Sequence, residues 1–225
     1  MSMTSPKLIL GVVVAAALAI GGWWFTRPAM IAPETATAQP APEASQSGDI
    51  ALLPDVVLGA PDAPITLIEY GSYTCSHCAN FHKTVFVPLK ADYIDTGKVR
   101  FIHREVYFDR FGLLAAMVAN CGGDERYYAL SGAIYDAQAD WIGDGAEATI
   151  STNLRKLGLR VGLSQDALDA CMTDNDRAQR MVATFQANAS ADNVSATPTL
   201  FINGEKYANM SYSALKAIID AKLAN

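Results

Sequence analysis

The chain has 225 residues, 51% of them hydrophobic and 18% charged, with a formal net charge of −6. That length can build one large domain or two small ones around a real core, and the apolar fraction excludes an intrinsically disordered chain. The acidic balance argues against nucleic-acid binding, which calls for a basic patch or stripe.

Residues 1–26 read as an address rather than as part of a fold. Leu8 to Phe25 carries no charge and follows Lys7. The segment is either an uncleaved signal anchor or a signal peptide. The best small-residue cleavage site, Ala36-Thr37-Ala38, lies too far downstream of the apolar run, which favours the anchor. Trp23, Trp24 and Phe25 then form an aromatic belt at the far interface. Lys7 and Arg27 flank the run almost symmetrically, so orientation stays open. On either reading the body is exported into a compartment that permits disulfides. Residues 27–50, rich in Ala, Pro, Thr, Glu, Gln and Ser, read as a flexible linker.

The body begins with a β-branched run, Pro64 to Tyr70, that suits a buried strand, and Val99 to Val106 is a second strand. Between them, Cys75 to about Ile94 is helical, with Cys78, Phe81, Val85 and Leu89 along one face and a kink expected at Pro88. A strand–helix–strand order predicts a parallel βαβ unit. Residues 108–191 show helical periodicity only. Leu113, Leu114, Met117, Val118 and Cys121 share one face, ended by Gly122-Gly123. Helices over Glu125–Asp140 and Ala146–Leu157 follow, the latter stopped by Gly158. Ser164 caps a helix over Gln165–Met172, and a longer one carries Ala178, Met181, Val182, Phe185 and Ala189. Thr199 to Ile202 is a strand, Asn203-Gly204 a hairpin turn and Glu205 to Tyr207 its return; Ser211 caps a last helix.

Chemistry concentrates in Cys75-Ser76-His77-Cys78, which follows a strand and opens a helix. Two intervening residues at a helix start let the two sulfurs meet in a small disulfide ring. The first sulfur lies where orphan N–H groups and the helix macrodipole favour an anion. A thiolate there has a depressed pKa and is a good leaving group. His77 adds a donor, or a positive charge when protonated. Both effects favour the dithiol and make the disulfide oxidising. Half of a zinc site is the competing reading, but Cys121, Cys171, His82 and His103 offer no ligand spacing to complete it.

The stretch Leu67-Ile68-Glu69-Tyr70-Gly71-Ser72-Tyr73-Thr74-Cys75-Ser76-His77-Cys78, followed later by Ala196-Thr197-Pro198-Thr199-Leu200-Phe201-Ile202-Asn203-Gly204, resembles the DsbA-like branch of the thioredoxin superfamily. The resemblance runs from about Leu53 to the C-terminus. It implies an α/β thioredoxin fold over residues 51–225 with an inserted all-helical subdomain at about 108–191. It implies a periplasmic thiol:disulfide oxidoreductase, reoxidised by a quinone-linked membrane protein. It also implies a cis Thr197–Pro198 bond in a loop lying against the cysteines, where the Thr197 backbone can pair with a substrate chain. Substrates are then reduced exported proteins, and the protein is read as a monomer requiring no organic or metal cofactor. Threonine before the proline keeps an isomerase or reductase open; a redox-inactive binding or assembly factor is a further alternative.

Three other groups complete the candidates. Glu69 shares a strand face with Ile65 and Leu67 and points inward; in the resembled family an acid here lies buried beneath the second cysteine, while the plainer reading is a strand-end glutamate reaching water. Cys121 and Cys171 are either a structural disulfide, favoured in an oxidising compartment, or two buried thiols. His82 and His103 read as structural, since neither belongs to a motif with a mechanism.

Overall fold

The computed structural model describes residues 50–224. The expected anchor or signal peptide at 1–26 and all but the last residue of the linker lie outside them. Among the described residues no helix is long and apolar enough to cross a membrane.

The described chain runs β1 (Val57–Leu58), β2 (Ile65–Gly71), α1 (Ser76–Phe81), α2 (Val87–Leu89), β3 (Val99–Glu105), α3 (Arg110–Asn120), α4 (Asp124–Asp136), α5 (Gln138–Ile142), α6 (Glu147–Arg160), α7 (Gln165–Met172), α8 (Asn175–Ala191), β4 (Thr199–Ile202), β5 (Glu205–Ala208) and α9 (Tyr212–Leu223). The sheet order is β1-β3-β2-β4-β5. β2 and β3 are parallel, with Ile65 beside Val99, Leu67 beside Phe101 and Glu69 beside His103. β4 is antiparallel to β2 and β5 to β4. The strand order and the insert of α3 to α8 make this a thioredoxin fold interrupted by a helical subdomain.

The local signals place most of these elements. Ser164 and Ser211 cap α7 and α9, their side chains accepting from the N–H groups of Ala167 and Ala214. Asn203 and Gly204 take positive φ in the β4–β5 turn, the conformation that a two-residue hairpin requires. Pro88 interrupts its helix differently from a simple kink. π-helical turns at His82–Phe86 and Lys90–Ile94 flank it, with the Val87 N–H bonded to the His82 carbonyl. Widening the hydrogen-bond register is how the segment absorbs a residue with no N–H.

Two local readings are corrected, and one strand is added. Gly158 does not stop a helix: α6 runs through it to Arg160. A Cβ on Gly158 would come within 2.6 Å of Leu168 Cδ2, so the glycine permits close approach of α7. The turn falls instead at Gly162, where φ is +89. The expected helix over Glu125–Asp140 is two helices, α4 and α5, separated at Ala137, whose backbone leaves the helical region. β1 escapes a periodicity reading because two residues cannot establish a period.

Three clusters make up the core. Ile65, Leu67, Phe101 and Leu200 of the sheet pack against Phe81 and Leu89 and against Leu215 and Ile219 of α9. Tyr70 and Phe201 meet Phe185 and Ala189 of α8 on the opposite face. The insert has its own centre around Leu130, Trp141, Leu154 and Leu168, which reaches Tyr73 and Cys78. Cys121, the C-cap of α3, is disulfide-bonded to Cys171 in α7, with Cα atoms 5.7 Å apart.

Candidate active site

The loop after β2 delivers Cys75 to the N-cap of α1, with extended backbone (φ −87, ψ 117). Its carbonyl accepts the first helical bonds, from the N–H groups of Cys78 and Ala79 at 3.1 and 3.2 Å. α5 fixes the loop from outside: Gln138 Nε2 donates to the carbonyls of Tyr73 and Cys75 at 2.7 and 3.0 Å. Thr74 Oγ1 donates to Asp109, the residue whose carboxylate also caps α3. Insert and loop are therefore positioned together. Neither Gln138 nor Asp109 belongs to any motif near the cysteines, so no spacing could have pointed to them.

Cys75 and Cys78 are free thiols in very different surroundings. Cys75 is half-buried and Cys78 wholly buried. Burial acts to raise the Cys75 pKa, but contacts with Thr197 and Cys78 and the backbone N–H groups of Cys78 and His77 outweigh it, and the thiol lies below its ordinary value. Burial raises Cys78 well above the ordinary range, and the charge of Glu69 pushes it further. The Ser72 N–H points at Cys78 Sγ from 3.5 Å. His77 stands exposed; what it turns towards Cys75 is its backbone N–H.

The Thr197–Pro198 bond is cis. It brings the loop before β4 onto the cysteines, with the Thr197 carbonyl 3.7 Å from Cys75 Sγ across 122 residues of sequence. Thr197 Oγ1 is buried with no hydrogen-bond partner.

Glu69 is buried at the inner end of β2 and does not reach water as a strand-end glutamate would. Burial, with a smaller contribution from Cys75, pushes its carboxyl up to about 8, and Oε1 has no hydrogen-bond partner. Beside it runs a hydrogen-bonded chain. Tyr127 OH donates to Glu105 Oε1 at 3.0 Å and lies 2.9 Å from His103 Nδ1; His103 Nε2 lies 2.9 Å from Tyr135 OH. Since Tyr127 donates to Glu105, it accepts from His103 Nδ1–H, and Nε2 accepts from Tyr135. Burial, with help from His82, holds His103 down at about 3 and therefore neutral. Glu105, half-buried as a residue, is raised to about 7 by desolvation of its carboxyl although Tyr107, Tyr127 and Asn120 all donate to it. Gly71 sits where these groups converge: a Cβ there would come within 2.7 Å of His103 Nε2, 2.9 Å of Tyr135 OH and 3.1 Å of Glu69 Oε1.

A Cys-x-x-Cys pair opening the first helix of this sheet, across from a cis-proline loop, is the hallmark of the thioredoxin class. A family model described as Thioredoxin matches residues 52–221. The crystal structure of Wolbachia pipientis α-DsbA1 superposes with a TM-score of 0.70 at 31% identity, covering 78% of this chain and 94% of that one. A Rickettsia bellii protein, provisionally named a protein-disulfide oxidoreductase, is 33% identical over 74% of this chain; the match spans 63% of that relative's length. Disulfide bond formation protein D of Bacillus subtilis is 27% identical, covering 79% of this chain and 81% of its own. The chain belongs to the thioredoxin family and, within it, to the DsbA-like branch.

Proposed function

We propose that the protein is an exported thiol:disulfide oxidoreductase that introduces disulfides into reduced proteins of the periplasm. The observation carrying this reading is the asymmetry of the pair: an accessible thiol with a lowered pKa beside a buried one with a raised pKa. In the oxidised form a substrate thiolate attacks Cys75 Sγ, the Cys75–Cys78 bond breaks, and Cys78 leaves as a thiolate. Glu69, the buried acid whose charge acts on Cys78, supplies its proton. A second substrate thiolate then attacks the substrate sulfur of the mixed disulfide and expels Cys75 as the thiolate that its surroundings favour. Two electrons have passed to the cysteine pair, which a quinone-linked membrane partner reoxidises. The backbone of Thr197 pairs with an extended substrate segment while this happens. Residues 8–25 tether the domain to the inner membrane. The Cys121–Cys171 bond is structural and takes no part in exchange.

The test is oxidative refolding of a reduced substrate protein, beside a glutathione equilibrium of the Cys75–Cys78 pair. An oxidising couple with refolding activity is expected, abolished in Cys75→Ser and trapped as a mixed disulfide in Cys78→Ser. A potential near that of thioredoxin, about −270 mV, would make the protein a reductant instead. Reactivation of scrambled ribonuclease without net oxidation would make it an isomerase.

A further inference from the structure

The Cys75 peptide is held partly from outside the thioredoxin fold. Cys75 precedes α1 with extended backbone, and its carbonyl accepts the N–H groups of Cys78 and Ala79. Gln138 Nε2 is a third donor to that oxygen, at 3.0 Å, and it reaches the Tyr73 carbonyl at 2.7 Å. Among the described residues the Tyr73 carbonyl has no other donor. The amide is backed by a rigid support. Gln138 is the first residue of α5, placed there by the break at Ala137. One turn on, Trp141 is buried, and its Nε1–H donates to the Ile134 carbonyl of α4 at 2.9 Å. α4 also holds the loop by a side chain, since Tyr73 OH donates to Ser131 Oγ at 2.9 Å. What the amide fixes is a direction. A peptide group turns as a plane, so a fixed Cys75 carbonyl fixes the Cys75–Ser76 plane and the start of α1. The N–H groups that favour a thiolate at Cys75 Sγ belong to His77 and Cys78, in that first turn. If the plane turned, they would swing away from the sulfur.

We propose that Gln138 is a positioning residue for disulfide exchange: its amide holds the Cys75 carbonyl in the direction that presents Sγ to the N–H groups of His77 and Cys78. The inference rests on the exchange reading above, and adds that the helical insert sets part of the reactivity of Cys75. The bonds of Gln138 go to carbonyls and not to either sulfur, so its influence passes through the backbone. Hydrogen bonds weaken steeply with misalignment, so a modest turn of the peptide lessens what the two N–H groups contribute. Those contacts, with Thr197, are what hold the Cys75 thiol below its ordinary value against the effect of burial. The thiolate exists only in the reduced enzyme, because a sulfur in the Cys75–Cys78 disulfide carries no charge. Gln138 therefore stabilises the reduced form more than the oxidised one and makes the disulfide more oxidising.

Gln138→Met tests this, since it keeps the length of the side chain and donates nothing. In the full chain, the Cys75 pKa is read from thiolate absorbance, and the Cys75–Cys78 pair is equilibrated with glutathione. The pKa should rise by about half a unit to one unit, and the equilibrium should move roughly threefold to tenfold towards the enzyme disulfide. The two shifts should agree in size, because one thiolate causes both. Gln138→Asn keeps the amide on a shorter arm that cannot span both carbonyls, and should fall between the parent and Gln138→Met. Ile150→Val is the control for simple loosening, because it thins the insert core away from the loop. It should lower the urea midpoint and leave both readings in place. Parental values in Gln138→Met, or equal shifts in Ile150→Val, would overturn the positioning role. Should Gln138→Met fail to fold, Gln138→Asn decides by the same two readings, and parental values there overturn the proposal equally. A parental pair that does not equilibrate with glutathione at all would sink the exchange reading itself, whereas normal parental exchange with a silent Gln138→Met removes only the positioning role.

Discussion

Along one face of β2 and β3, Ile65 and Leu67 lie beside Val99 and Phe101, and two residues further on Glu69 lies beside His103. The period-2 alternation is the same throughout, and all six side chains are buried. The first four meet Phe81, Leu89, Leu215 and Ile219 and form an apolar layer. The last two meet His82, Tyr128 and Tyr135, where the insert closes over the sheet. An apolar layer gains from every contact that excludes water. A buried carboxyl does not, and leaving Oε1 of Glu69 without a partner costs stability. The difference teaches where this protein departs from its most stable arrangement: at the end of the strand that faces the cysteines, where a raised acid is useful to the chemistry.

Substitutions at the two ends should therefore respond differently, and pH separates them. Leu67→Ala, at the apolar end, should cost about 2–5 kcal/mol, independent of pH, in urea unfolding. A pH-dependent loss there would mean the apolar layer is coupled to the titrating groups.

Glu69→Gln should act in the opposite direction. In the folded protein this carboxyl titrates at about 8 against an ordinary 4.5. Between those values the folded state holds a proton that the unfolded state has released, so the parent loses stability as pH rises through that window. The reduced Gln variant should match the parent near pH 4 and become the more stable by a few kcal/mol, about 1.4 per pKa unit, towards pH 8. Parallel urea midpoints for the two proteins from pH 4 to 8 would show that Glu69 is not raised.

Gly71→Ala tests how closely the polar end is packed. Its methyl would meet His103 Nε2 and Tyr135 OH inside 3.0 Å, and both are fixed by hydrogen bonds. A cost of about 1–3 kcal/mol is expected, with a disturbed pH profile of exchange; a neutral substitution would show that the network yields.

The smallest effect belongs to His77→Ala. The ring is exposed and the backbone N–H remains after substitution. The Cys75 pKa should rise by less than one unit, and the potential should fall by less than about 30 mV. A thiolate absorbance titration beside a glutathione equilibrium measures both. A larger fall would return the tuning to the imidazole.

Much of this was readable in advance because its causes are local. Four of the five strands, the Asn203-Gly204 turn and the serine caps of α7 and α9 depend on residues within a few positions of one another. So does the placing of Cys75 at a helix start, since a helix N-terminus is made by the next three N–H groups. The inward direction of Glu69 follows from alternation with Ile65 and Leu67. Gly158 shows the limit of such reasoning. A glycine after a helical run reads as a stop, yet here it makes room for Leu168 in another helix.

What the sequence by itself determined is the chemistry on offer: two cysteines in a small ring at a helix terminus, an acid on the inner face of the preceding strand, and a proline before a buried strand. Only the tertiary structure decided who their neighbours are. Gln138 reaches the Cys75 carbonyl across 63 residues and Thr197 reaches its sulfur across 122. His103, which reads as a histidine without partners, finds two tyrosines in the insert, and His82 acquires a cavity and a surface carboxylate. The physical reason is that a pKa, an unpaired oxygen or a proton route depends on what packs within a few ångströms, and residues that close are here drawn from segments whose separation leaves no periodic trace in the chain.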